Sequence, residues 1–464
     1  MPRATLAALC AVTLAALGCE QYPSVVRPGR IDWSRVYEGD GNARVNELAL
    51  DAEGNVLAIG TFTGSLRFES VTLTSRGATD VFVAKLDRDG RTLWARSFGS
   101  PDHDRGASVA ADPAGNLWTT GEAASGIDFG SGELEAQSQS AVFLAKLDPG
   151  GGPLFSQLFG DGGYSAGSDL AVDGDGNVLV TGSIARSADF GAGPVSGGGS
   201  SDAFVAEFAP DGSCLESRVF GDADVQAGVG IALTREREIV LLGRLGGTIS
   251  FGGESLSGPA GGNRALFVAK LDRRMNHIFS TVALSSGSVP GTDAHAHRGI
   301  PTSSHSIAAR PGGGTILTGA GGIDFSLSGQ DFEAPILATA LLQEFGRYGE
   351  RLLEGPFASG EQQDEGAVAV APDGRVSVAG SFLGSLDFGS GPPLVSAGGR
   401  DIFLARFDAQ GRVAGDRFGD AAHSEIAWTI ATDDGVDVVG GWVRENDNFG
   451  ADRALIVKFN RGSP

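Results

Sequence analysis

The chain has 464 residues, 73 of them Gly and 19 Pro, and 41% are hydrophobic, which is too apolar for a disordered chain while the glycine demands many turns. Fifty-seven acidic against 35 basic side chains leave a net charge of −22. Such a surface repels phosphate backbones and anionic headgroups and argues against nucleic-acid or membrane-surface binding.

At the N-terminus Arg3 precedes an apolar, small-residue run from Ala4 to Gly18, the layout of an export signal. The run is shorter than the roughly 20 residues of a membrane-spanning helix. Ala16-Leu17-Gly18-Cys19 resembles the bacterial lipobox. That resemblance implies cleavage before Cys19 and a diacylglyceryl group on its thiol; cleavage without a lipid is the alternative. The expected organisation is a signal peptide at 1–18, a lipidated cysteine and tether at 19–30, and one domain at 31–464. Glu20 stands where an aspartate would favour inner-membrane retention, so an outer-membrane or cell-surface location is expected. With Cys10 removed and Cys19 acylated, Cys214 is left as a lone thiol, so packing rather than disulfides must hold the fold.

From there the chain repeats itself. VFVAKLD ends at Asp87, VFLAKLD at Asp148, AFVAEFA at Ala209, LFVAKLD at Asp272, LLQEFG at Gly346, IFLARFD at Asp408 and LIVKFN at Asn460. Most successive ends lie 61 to 63 residues apart. Before most of them lies a strand–turn–strand pair such as Ser108 to Gly121 or Val368 to Gly380; after most comes a further turn and strand, as in Arg91 to Gly99. Each unit therefore reads as four up-and-down strands, A to D, with no helical period, which suits a β-propeller. The last unit ends after its C strand, and Ile31 to Gly39 aligns with the D strands, Trp33 over Trp94. The expected fold is all-β: a seven-bladed propeller of four-stranded antiparallel blades, its ring closed by the N-terminal strand and acting as a monomer. Small residues on the A strands (Ala49, Ala110, Ala111, Ala171, Ala232, Ala308, Ala309, Ala369, Ala431) are expected to crowd the axis. Bulky Trp33, Trp94, Phe155, Phe159, Phe220 and Phe418 should fill the wedges between blades.

The repeated pattern, "vaaDpaGNlwttG", "DFG", then "DvFvAKLdrdGr.lW", resembles the seven-bladed β-propeller repeat (SBBP) family of exported bacterial proteins. The resemblance covers nearly all of Ile31 to Asn460, implies the fold, and brings no established activity. The fifth unit departs most from it.

Several motifs read as structure. Asp128-Phe129-Gly130, Asp189-Phe190-Gly191 and Asp387-Phe388-Gly389, with variants at Phe68, Phe251, Phe325 and Phe449, place one Phe in each B–C connection, as packing requires and a kinase does not. Gly163-Tyr164-Ser165-Ala166-Gly167 matches a nucleophile elbow but lacks the helix that motif needs. Asp173-Gly174-Asp175-Gly176-Asn177 sits at an A–B turn and lacks the closing glutamate of a calcium loop. The segment from Leu86 to Trp94 does not meet the sialidase Asp box.

The D–A connections carry the candidate binding face: Asp40, Asp102, His103, Asp104, Asp161, Asp222, Asp224, Asp364, Glu365, Asp420, His423 and Glu425. Carboxylates from several blades on one opening suit a hard cation such as Ca2+ or a cationic partner. His295 and His297, in the long fourth-to-fifth connection, add an imidazole pair. No cofactor is required. The reading reached is a lipid-anchored, non-catalytic envelope scaffold engaging a protein or glycan through this face. A polysaccharide hydrolase or lyase with acids at the channel mouth, and a calcium-stiffened structural protein, are the alternatives. A tether of 11 residues reaches at most about 35–40 Å, so the opposite, plain turn face is expected to lie toward the membrane.

Overall fold

A computed structural model describes residues 30–460 apart from 200, 259–264, 286–305, 322–325, 328–329, 332–338, 357, 364–365, 390, 408–412, 434 and 446–450. Cys19, His295, His297, Phe325, Asp364, Glu365 and Phe449 fall outside the described residues. No helix among them is long and apolar enough to cross a membrane.

Seven antiparallel sheets form the blades. Blade 1 comprises Ala43–Leu50, Val56–Phe62, Asp80–Leu86 and Thr92–Phe98, and blade 2 Arg105–Ala111, Leu117–Ala123, Ala141–Leu147 and Pro153–Phe159. Blade 3 comprises Ala166–Val172, Val178–Ile184, Asp202–Phe208 and Cys214–Phe220, and blade 4 Gln226–Leu233, Ile239–Leu245, Ala265–Leu271 and His277–Ser285. Blade 5, the most divergent in sequence, has an A strand of four residues, Ser306–Ala309, followed by Thr315–Gly321, Thr339–Phe345 and Arg351–Pro356. In blade 6 the A strand is split into Ser359–Gln363 and Ala367–Val370, both paired to Val376–Asp387; Asp401–Phe407 and Val413–Phe418 complete it.

Blade 7 closes the ring. Ser424–Asp433, Val436–Arg444 and Arg453–Asn460 supply A, B and C, and the N-terminal strand Arg30–Tyr37 supplies D. Trp33 pairs with Lys458 and Ser34 with Val457, as the alignment predicts.

C strands are the buried centre of the blades, with every residue buried in blades 1, 2 and 4, because they carry neighbours on both edges and blades on both faces. Between blades, aromatic rings form repeated chains. Phe98 of blade 1 meets Phe129 of blade 2 at 4.8 Å, and Phe129 meets Phe143 at 5.2 Å. Tyr37–Phe68–Phe82, Phe159–Phe190–Phe204 and Phe220–Phe251–Phe267 repeat the chain at other junctions. In the Asp-Phe-Gly motifs of blades 2 and 3 the phenylalanine, Phe129 or Phe190, is therefore the middle ring of a three-ring chain. Its aspartate is a turn-former: Asp128 accepts the N–H groups of Gly130 and Gly132.

A second latch lies on the turn face. Trp33 Nε1 donates to Arg88 O (3.0 Å) and Trp94 Nε1 to Pro149 O (2.9 Å), each reaching the C–D turn of the next blade. The indoles lie flat over Gly90 and Gly151, both at positive φ; a Cβ there would approach the ring atoms to 2.7 and 3.0 Å. Phe155 takes the same seat over Gly212.

The A-strand alanines sit elsewhere than expected. Ala49, Ala111, Ala171 and Ala232 are half-buried against the clusters between blades and do not line the axis. The A strands of blades 1, 2, 3, 4 and 7 each carry a β-bulge, at Asn46, Ala107, Ser168, Val229 and Trp428, and these bulges face the axis.

Candidate functional site

The D–A and B–C connections share one face. Isolated parallel bridges tie the end of one blade's B–C connection to the next D–A loop: Thr79 to His103, Ser140 to Tyr164 and Ser201 to Val225. The D–A acids in turn reach the following blade's B–C hairpin. Asp40 accepts Ser65 N–H, Asp102 accepts Ser125 Oγ–H, Asp161 accepts Ser187 Oγ–H (3.3 Å) and Asp222 accepts Thr248 N–H (2.7 Å). Asp40, Asp102, Asp161 and Asp222 thus each act as a separate tie between neighbouring blades. Asp40, Asp102, Asp161, Asp224 and Asp420 are exposed, as is His103, which meets Thr79 Oγ1 at 3.1 Å. Ser65 N–H and Oγ–H hold the Asp40 carboxyl below the usual range. Asp222 is also held low: the Asp224 N–H, Gln226 and Thr248 outweigh its slight burial.

Two of the predicted acids are internal. Asp104 is fully buried, accepting Ser100 N–H and Ala124 N–H, and burial raises its carboxyl. Glu425 is 3% exposed; burial, then Asp420 and Asp401, pushes it up to about 8. The structure does bring Asp420, His423 and Glu425 together: one donor atom from each lies within 4.8 Å of the others. His423 Nδ1 stands 2.9 Å from Asp420 Oδ1, and the His423 and Ala422 N–H groups also point to that carboxylate, which is held low.

The lumen holds the acids that sequence reading missed. A polar cavity of about 240 Å³ on the axis is lined from all seven A strands. Glu47 and Asp169 face it. Asp169 accepts Ser108 Oγ–H (2.8 Å) and Ile231 N–H (2.8 Å) from the two flanking blades. Thr429 Oγ1 donates to Glu47 Oε1 (3.1 Å) and accepts Leu48 N–H. Burial lifts Asp169 to about 6; burial and then the Asp169 charge lift Glu47 well above its ordinary range. Arg105, also on the lumen, is lowered by burial despite Glu122. A signal existed: Glu47, Ser108, Asp169 and Gly230 recur at intervals of 61 residues, each just past a bulge.

The other motifs resolve as structure. Ser165 is 1% exposed, its Oγ accepting Ala185 N–H, and it opens into a strand. Asp173 accepts Asp175 N–H and Asn177 N–H, as an A–B turn requires, and pairs with Arg237 (3.4 Å).

Residues 154–185 match the family model SBBP, "Beta-propeller repeat". The matched stretch spans the D strand of blade 2 and the A and B strands of blade 3. The chain is a seven-bladed β-propeller that carries a β-propeller repeat of the SBBP type at residues 154–185. No curated protein matches the chain in sequence. Among solved structures, it is similar to a protein of unknown function from Dyadobacter fermentans at 10% identity, covering 94% of this chain and 99% of that one, with a TM-score of 0.44. It is also similar to polysaccharide lyase Uly1, at 9% identity, 90% coverage of each chain and a TM-score of 0.47. A puromycin hydrolase S511A mutant is similar at 13% identity, covering 89% of this chain and 53% of that one, with a TM-score of 0.45.

Proposed function

We propose that the chain is a lipid-anchored, non-catalytic binding scaffold of the bacterial envelope, engaging a protein or glycan through the D–A/B–C loop face. The observation that carries the reading is the rim itself. Asp40, Asp102, Asp161, Asp224 and Asp420 stand exposed on loops that hydrogen bonds and bridges fix to their neighbours, so the acids are preorganised without being gathered round one reacting centre. Preorganised charge of one sign favours a partner with a basic or cation-bearing surface.

The enzyme alternative finds its best residues in Glu47 and Asp169. Their lumen, at about 240 Å³, is smaller than the roughly 300–1,000 Å³ of ligand pockets, which disfavours a polysaccharide there.

Attachment is read from direction. The strand Arg30–Tyr37 starts beside the C–D turn that holds Arg88 and runs toward the loop face, so a tether from Cys19 joins the ring at the turn face. Cys19→Ser should release the protein from the membrane fraction and remove a lipid-sized mass. Single-cysteine labelling in intact cells should favour the D–A loops; preferential labelling of A–B turns would reject the orientation. For binding, affinity capture from envelope extract compares the intact protein with an Asp102→Asn, Asp161→Asn, Asp224→Asn version. Equal recovery of every bound component refutes binding through this face.

A further inference from the structure

At the blade junctions one contact recurs: a residue at the start of a C strand meets the start of the next blade's A strand. Blades 2 and 3 fill it with Ser140 and Ser165, which hydrogen-bond each other. Blades 3 and 4 use Asp202 and Gln226, whose amide donates onward to Asp222 (2.8 Å). Blades 6 and 7 use Asp401 and Glu425, and here two carboxyls share the space. A Cβ on Gly419 would lie 2.4 Å from Asp401 Oδ1 and 2.8 Å from Glu425 Oε2, so both oxygens crowd one point. Asp401 is 0% and Glu425 3% exposed, and neither of those oxygens has a hydrogen-bond partner among the described residues.

Asp80 and Asp202 also leave one oxygen unpartnered at their junctions. What differs at Glu425 is the imidazole. His423 and Glu425 flank the first residue of the A strand and so project to the same side. Asp420 adds a third donor atom within 4.8 Å. At the Asp80 junction the nearby His103 turns instead to Thr79 Oγ1, and at the Asp202 junction Gln226 replaces the acid.

We propose that Asp420, His423 and Glu425, backed by Asp401, form a zinc-type divalent-cation site between blades 6 and 7. His nitrogen and Asp/Glu oxygen are both Zn2+ donors, and three or four of them suit its tetrahedral coordination, whereas Ca2+ takes six to eight oxygens. Glu425 is the fixed, buried donor. Asp420 and His423 lie at the surface and exchange their mutual hydrogen bond for the metal. The cation gives the unpartnered Glu425 oxygen the partner it lacks, while Arg417 continues to pair the other oxygen of Asp401. The site stands whether or not the loop face binds a macromolecule.

Titration calorimetry with ZnCl2 alone on the chelator-treated full chain tests this. The expected result is one Zn2+ per chain, with affinity at least about tenfold weaker in both His423→Ala and Glu425→Gln. Glu425→Gln copies the Gln226 junction, so it should keep the far-ultraviolet spectrum and melting profile of the metal-free parent while losing the zinc-induced rise in melting temperature. A chain that takes up no stoichiometric zinc, or one whose two variants bind it like the parent, overturns the proposal. Tighter binding of CaCl2 than of ZnCl2 overturns the assigned metal class.

Discussion

Trp33→Ala probes the seam that makes the ring. The indole is 9% exposed, its Nε1 donates to Arg88 O, and its ring covers Gly90. Truncating a buried Trp costs about 3–5 kcal/mol. The lost hydrogen bond adds little, because Lys458 Nζ still donates to the Arg88 carbonyl. About 4 kcal/mol is therefore expected, and it falls on a strand with a single neighbour, Arg453–Asn460. At 1.4 kcal/mol per factor of ten, protection of residues 30–37 against hydrogen exchange should drop by about a thousandfold. Trp94→Ala is the control: it loses the matching bond to Pro149 O, but its strand is tied into the chain at both ends. Exchange followed by mass spectrometry should show the 30–37 segment opening in Trp33→Ala alone. Protection within tenfold of the parent, or equal opening of this segment in Trp94→Ala, would refute the reasoning.

Gly90→Ala and Gly54→Ala separate backbone strain from contact. Both glycines have φ near +77°, which costs an L-residue about 1–2 kcal/mol, but only at Gly90 does a Cβ meet a ring, at 2.7 Å. Gly90→Ala should lose about 1–3 kcal/mol more by urea unfolding; equal losses count against the latch. Phe129→Ala should cost about 3–5 kcal/mol and Asp128→Asn less than about 1, because Asn still accepts the turn N–H groups. The reverse order in denaturant midpoints would contradict a packing role for the motif. The lumen acids set a pH dependence. Asp169 rises from 3.8 to about 6, so across that window the folded chain holds a proton that the unfolded chain has released, and stability falls as pH rises. Glu47, raised well above 4.5, continues the fall to higher pH. Melting temperatures between about pH 4.5 and 8 should decline less in Glu47→Gln than in the parent, and parallel curves would dismiss the pairing.

The blade count and the seam were legible because a period near 61 residues aligns each strand with its counterparts, and Trp33 over Trp94 already marked a displaced D strand. The Asp-Phe-Gly phenylalanines were legible for the same reason. The lumen was not. A bulge adds one residue to the A strand, so simple alternation assigns inward and outward positions wrongly beyond it and points the alanines downstream, not Glu47 and Asp169, to the axis. The loop acids were found, but their partners were hidden: Asp102 and Ser125 lie on different connections, and Asp401 meets Glu425 across a blade boundary. Residue type alone also does not separate buried Asp104 from exposed Asp102, two positions away.

In the closing sheet Arg30 pairs with Asn460, and Asn460 with Val436 beside an A–B turn. The two extremities of the ring are thus immediate neighbours on a single side of the disc. A short peptide joining them, with a new opening cut in any A–B turn, should give a circularly permuted chain with the same blades in rotated order. Cargo fused at either extremity would emerge on that same side and leave the opposite rim unobstructed.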